Sequence, residues 1–96
     1  MALTEIENKI AGKKSELQAL GVDSLELFGS AANGTETSGS DLDFLVRFRG
    51  MTTFDAYMDL KFLLEDLFDR PIDLVTDKAI RQEFRERILR EAIRVA

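Results

Sequence analysis

The chain has 96 residues, 13 basic and 18 acidic, with a formal charge of -5, which is room for one domain spanning residues 1–96. It contains no Cys, His or Trp, so disulfide frameworks, thiolate nucleophiles, thiolate zinc sites and Ser-His-Asp triads are excluded, and a catalyst here must work with carboxylates and hard cations. The acidic balance argues against broad electrostatic binding of nucleic acid, and no apolar run approaches the roughly 18 residues of a membrane span, so a cytoplasmic protein with no membrane partner and no direct nucleic-acid contact is expected.

The composition, 45% hydrophobic and 32% charged, is that of a folded chain. A domain of this size buries only roughly 60 to 65% of its unfolded surface, so an apolar face shared with a partner is expected. Thr4 and Glu7 stand in capping-box spacing at the head of a predicted helix, with Ile6, Ile10, Leu17 and Leu20 on one stripe and Gly21 as its stop. Ser24 to Phe28 alternates, Leu25 and Leu27 against Ser24 and Glu26, and breaks at Gly29-Ser30, as a short strand feeding a turn does. Residues 31–40 are a small-residue loop. A second strand is predicted from Asp41 to Phe48, with Leu42, Phe44, Val46 and Phe48 on one side and Asp41, Asp43, Leu45 and Arg47 on the other.

Thr52 and Asp55 can cap a following helix whose Phe54, Met58, Phe62, Leu63 and Leu67 trace an amphipathic face as far as Phe68. Pro71 halts that pattern, Ile72 to Val75 forms a third strand around Asp73, and Asp77 opens a last helix with Ile80, Phe84, Ile88 and Ala92 on its buried stripe. The order α-β-loop-β-α-β-α predicts a mixed α/β sandwich, a small three-stranded sheet covered by helices.

The informative cluster is Gly29-Ser30, a ten-residue gap, then Asp41-Leu42-Asp43, with Asp73 on the next strand. Carboxylates at i and i+2 of a strand share a face, so Asp41 and Asp43 can share a divalent ion, although alone they also fit a turn residue plus a solvated strand position. Asp43 lies between Leu42 and Phe44, and Asp73 between Ile72 and Leu74, where an unpaired carboxylate would be costly. Mg²⁺ between the three acids is the economical answer. Gly29-Ser30, ending a strand before a helical turn, offers N–H groups and a hydroxyl to a phosphate, and equally fits an ordinary glycine turn.

Together these residues, FGSAANGTETSGSDLDFLVRF, resemble the minimal nucleotidyltransferases of the DNA polymerase beta superfamily, whose motif is Gly-Ser, a gap of about this length, then Asp-x-Asp. PIDLVT resembles the family strand that delivers the third acid, and RERILREAIRVA its last helix. The resemblance implies the nucleotidyltransferase fold and an antitoxin that transfers AMP from ATP to a tyrosine of a HEPN-domain ribonuclease toxin encoded beside it, in a hetero-oligomer. Carried over, Asp41 and Asp43 would bind two Mg²⁺ ions, Asp73 would complete the site beside the attacking hydroxyl, and Gly29 and Ser30, with Ser40, would bind the nucleotide. Two departures stand out. The family's usual arginines are replaced by Asn33 and near Thr37, and residues 31–40 contain no Lys or Arg, their only charge being Glu36.

Arg47, on the aspartate face of its strand, either compensates or is an ordinary exposed arginine. Arg81, Arg85, Arg87, Arg90 and Arg94 read as a solvated face, with Glu83 to Arg87 and Glu86 to Arg90 as i,i+4 pairs, or as a surface for an acidic partner. Phe54, Phe62, Phe68 and Phe84 read mainly as core, and Tyr57 as a helix-boundary residue. The alternatives to the adenylyltransferase are an antitoxin that masks its toxin by contact and a transferase acting on a small molecule or an RNA end. The extra domain that usually holds the acceptor of the last of these is not expected here.

Overall fold

The computed structural model describes residues 2–34 and 41–96. Their elements run α1 (Leu3–Ala11), α2 (Lys14–Ala19), β1 (Val22–Phe28), α3 (Ser30–Asn33), β2 (Leu42–Phe48), α4 (Phe54–Phe68), β3 (Ile72–Thr76), α5 (Gln82–Glu91) and β4 (Ile93–Arg94). The sheet order is β3-β2-β1-β4, with β1 antiparallel to β2 and β4, and β2 parallel to β3. The mixed α/β sandwich is as expected, but the sheet has four strands rather than three. The fourth, Ile93–Arg94, is two residues long, too short to show a period of two, and lies inside the stretch expected to be the last helix.

One face of the sheet carries the core. Leu25 and Leu27 of β1, Leu42, Phe44 and Val46 of β2, and Ile72 and Leu74 of β3 meet Ile6 and Ile10 of α1, Leu17 of α2 and Leu60, Leu64 and Phe68 of α4 in one cluster. Phe44 stacks on Phe68 with ring centroids 5.8 Å apart, a geometry that adds about 0.5 to 1.5 kcal/mol beyond the burial itself. Tyr57 donates its phenol hydrogen to the Leu74 carbonyl at 2.5 Å, fastening α4 to β3.

Four local expectations are corrected. The first helix is two, because the chain turns at Gly12 and Lys13, and its start is Ala2, whose N–H is accepted by Glu5 at 3.4 Å, rather than a Thr4 cap. The cap of α4 is Thr53, which accepts the Ala56 N–H at 3.1 Å, one residue beyond Thr52. The buried stripe of α4 is Leu60, Leu64 and Phe68, leaving Phe54 and Phe62 exposed. Finally, α5 starts at Gln82, not at Asp77, and buries none of its residues: Phe84 is exposed and Ile88 only half-buried. Its i,i+4 pairs are Arg90 with Glu86 at 3.0 Å, as the spacing predicts, and Arg87 with Glu91 at 3.6 Å, while Glu83 pairs with Arg81 at 4.0 Å rather than with Arg87. A helix covered in charge keeps its solvent and lies lightly on a sheet this small.

Candidate active site

The alternation of β2 separates its faces. Leu42, Phe44 and Val46 go to the core, which sends Asp43, Leu45 and Arg47 to the opposite face. In the ladder, Asp43 pairs with Phe28 of β1 on one side and with Asp73 of β3 on the other. Opposed residues share a face, and adjacent strands stand about 4.8 Å apart, so the parallel register brings two carboxylates together. A protonated Asp43 carboxyl can donate a hydrogen bond to the Asp73 carboxylate. Asp41 lies one residue before β2, exposed, and its charge acts on Asp43 as well.

These neighbours leave Asp43 reluctant to ionise. Partial burial first, then the negative charge of Asp73, the hydrogen bond to Asp73 and the charge of Asp41 raise its pKa from 3.8 to about 6. Asp73 itself is exposed, against the expectation from its flanking Ile72 and Leu74: both are buried on the core face, and strand alternation at the sheet edge turns Asp73 out to solvent.

Gly29 completes the arrangement. It caps α3 with φ +73° and ψ -151°, a region open to glycine and hardly any other residue. A Cβ here would collide with Asp43 Oδ2 and lie 3.1 Å from Asp43 Cγ. The backbone therefore packs directly against the carboxylate, a contact that only glycine permits. Ser30 follows as the first residue of α3, half-buried. Ser40, the remaining candidate nucleotide contact, and Thr37 lie outside the described residues. Arg47 pairs with Glu26 of β1 at 3.9 Å and leaves its buried Nε without a hydrogen-bond partner. It lies four residues along β2 from Asp43, about 13 Å at the strand rise.

Sequence reasoning therefore named the residues that converge, Asp43, Asp73 and Gly29, and missed the direct packing of Gly29 on Asp43, for which a sequence carries no signal. Among the described residues no three acidic groups close into a ready-made metal cluster. The chemistry of the pair nonetheless fits a hard cation, because two adjoining carboxylates, one forced toward its neutral form, gain most from a positive charge between them. Mg²⁺ in particular keeps several waters and is commonly held by one or two carboxylates together with substrate phosphates. A cavity of about 360 Å³ elsewhere, lined by Ile10, Leu17, Val22, Arg49, Arg94 and Val95 among others, sits at the far end of β1 and contains none of the candidate residues.

Comparison with known proteins agrees with this fold. Residues 8–95 match the family model described as the nucleotidyltransferase domain. The chain is 31% identical over 96 residues to protein adenylyltransferase MntA of Thermococcus cleftensis, covering 99% of this chain and 97% of that protein. A solved minimal nucleotidyltransferase superposes with a TM-score of 0.84 at 33% identity, over 97% of this chain and 95% of that one. The fold also recurs at 21% identity and a TM-score of 0.66, over 94% of this chain and 68% of the other, in a structure of tri-AMPylated Shewanella oneidensis HEPN toxin in complex with MNT antitoxin. The chain belongs to the nucleotidyltransferase domain family and is a homologue of the protein adenylyltransferase MntA.

Proposed function

We propose that the chain is an antitoxin that transfers AMP from ATP to a hydroxyl, expected to be a tyrosine's, of a HEPN ribonuclease toxin, and so silences it. The observation that carries this reading is the parallel register of Asp43 with Asp73, with Gly29 packed against the first of them. The names of the relatives support the transfer and the class of acceptor.

In this reading Asp41, Asp43 and Asp73 would hold two Mg²⁺ ions, which would supply positive charge to neutralise that developing in the transfer. Gly29 and Ser30, with Ser40, hold the β- and γ-phosphates through backbone N–H groups and hydroxyls. The acceptor oxygen attacks the α-phosphorus, the bond from that phosphorus to the bridging oxygen breaks, and pyrophosphate leaves. Asp73, exposed at the sheet edge, takes the acceptor's proton. The edge position leaves it open to a bulky protein substrate, which a buried base would exclude.

The experiment is the intact mass of the HEPN chain after incubation with ATP, Mg²⁺ and either the wild type or Asp41→Asn/Asp43→Asn. Addition of one or more AMP groups by the wild type alone is the expected result. A second reading, masking of the toxin by contact, draws on the absence of Lys and Arg from residues 31–40. It is favoured instead if the toxin is silenced in a stable complex by both proteins without gaining mass.

A further inference from the structure

The helix α4 is apolar on two sides. Leu60, Leu64 and Phe68 are buried against the sheet, yet Phe54 is 77% exposed and Phe62 54% exposed, with half-buried Met58 between them and Met51, 87% exposed, just before the helix. At about 100° per residue, Phe54, Met58 and Phe62 lie about 120° to 200° around the helix from Leu60, so they form one stripe pointing away from the core. Scattered surface hydrophobics need no explanation, whereas an aromatic and methionine stripe aligned along one helix is the composition of a contact surface.

Its surroundings decide what it can contact. The helix and its C-cap carry Asp55, Asp59, Glu65, Asp66 and Asp69 against Lys61 alone, five negative charges and one positive, for a net charge of -4. A second copy meeting this face through a two-fold axis would set -4 against -4, and like charges placed together across an interface oppose association. We infer that the stripe Phe54, Met58 and Phe62 is the docking surface for a different protein chain, one presenting an apolar groove or helix face with a basic rim. The inference deepens the proposed function, resting on it for the identity of the partner, and adds a second contact for that partner, on the helix side of the sheet, beside the one its acceptor hydroxyl makes at the Asp43 face.

The test is binding of the HEPN chain, followed by calorimetry, to the wild type, to Phe54→Ser/Phe62→Ser and to Asp43→Asn. Thermal melting of each protein alone checks folding, and the two serines replace exposed side chains, so that variant should melt as the wild type does. Loss of about 30-fold or more in affinity for the double serine variant, as for buried aromatic anchors elsewhere, with Asp43→Asn binding normally, is the expected result. Raising the salt concentration should weaken the wild-type complex, since the acidic rim steers the partner. Equal binding by the wild type and the double serine variant would overturn the inference while leaving the proposed function standing. Failure of the wild type to bind or modify the HEPN chain would overturn the proposed function and the inference with it. Sedimentation of the wild type as a dimer that Phe54→Ser/Phe62→Ser dissolves would show that the stripe belongs to a second copy and would also overturn it.

Discussion

Replacing Asp43 by Asn should abolish AMP transfer and at the same time stabilise the metal-free protein. A carboxyl that titrates near pH 6 in the fold instead of 3.8 is, at 1.36 kcal/mol per pH unit, about 3 kcal/mol less comfortable when charged than it would be in the unfolded chain. Asp43 is only partly buried, so solvent screening cuts this to about 1 to 2 kcal/mol. Because the folded pKa is the higher one, the native state binds the extra proton and this group's contribution to stability is full below pH 3.8 and lost as the pH rises through 6. Asn keeps the shape, cannot ionise and can donate to Asp73. Thermal melts in EDTA at pH 7.5 should therefore place Asp43→Asn about 5 to 10 °C above the wild type, and the gap should close as the pH is lowered to 4. A gap of zero at pH 7.5, or one that persists unchanged to pH 4, would refute the assignment of the shift to carboxylate crowding.

Other expectations follow from the same geometry. Magnesium should raise the melting temperature of the wild type more at pH 7.5 than at pH 5, where Asp43 is largely protonated and cannot serve as a ligand; Asp43→Asn should lose most of that response at both pH values. Gly29→Ala should cost about 1 to 3 kcal/mol for its backbone conformation, and should also lower AMP transfer by displacing Asp43, as urea melts and a transfer assay on one preparation would reveal. Tyr57→Phe should lose about 1 kcal/mol in urea unfolding, the worth of its bond to the Leu74 carbonyl, with the metal response unchanged.

The strands of this chain are legible because a half-buried strand forces a strict alternation on its side chains. From Leu42 to Phe48 that alternation alone places the aspartate face correctly and leaves Phe44 and Val46 wholly buried. Helix α4 is less legible because it carries two apolar stripes about half a turn apart, and periodicity cannot say which of them meets the sheet. The decision is made by tertiary contacts, the Phe44–Phe68 stack and the Tyr57–Leu74 hydrogen bond, neither of which has a local signature. The last helix misleads for the opposite reason: Ile80, Phe84 and Ile88 keep the right spacing, but the arginines and glutamates around them hold the helix in solvent. Asp43 and Asp73 are found by their types and neighbours, while their adjacency depends on β3 pairing in parallel with β2, which follows from the crossover through α4.

The same sheet thus divides two tasks between its faces. On the core face the buried strand positions are filled by Leu, Phe, Val or Ile, and burial there is strong enough to tolerate an unfavourable arrangement behind it. On the other face β2 sets Asp43 beside Asp73, within the field of Asp41, and Gly29 closes the remaining space so that the carboxyl cannot easily turn away. Repulsion is lowest if Asp43 keeps a proton, and it is relieved entirely if a divalent cation arrives with its phosphates. The fold therefore holds the acids together through the core rather than through their own contacts. That is why a substitution which removes the charge should strengthen the protein as it silences it, and why one in the core, such as Leu27→Ala, should weaken both by about 2 to 5 kcal/mol of lost packing.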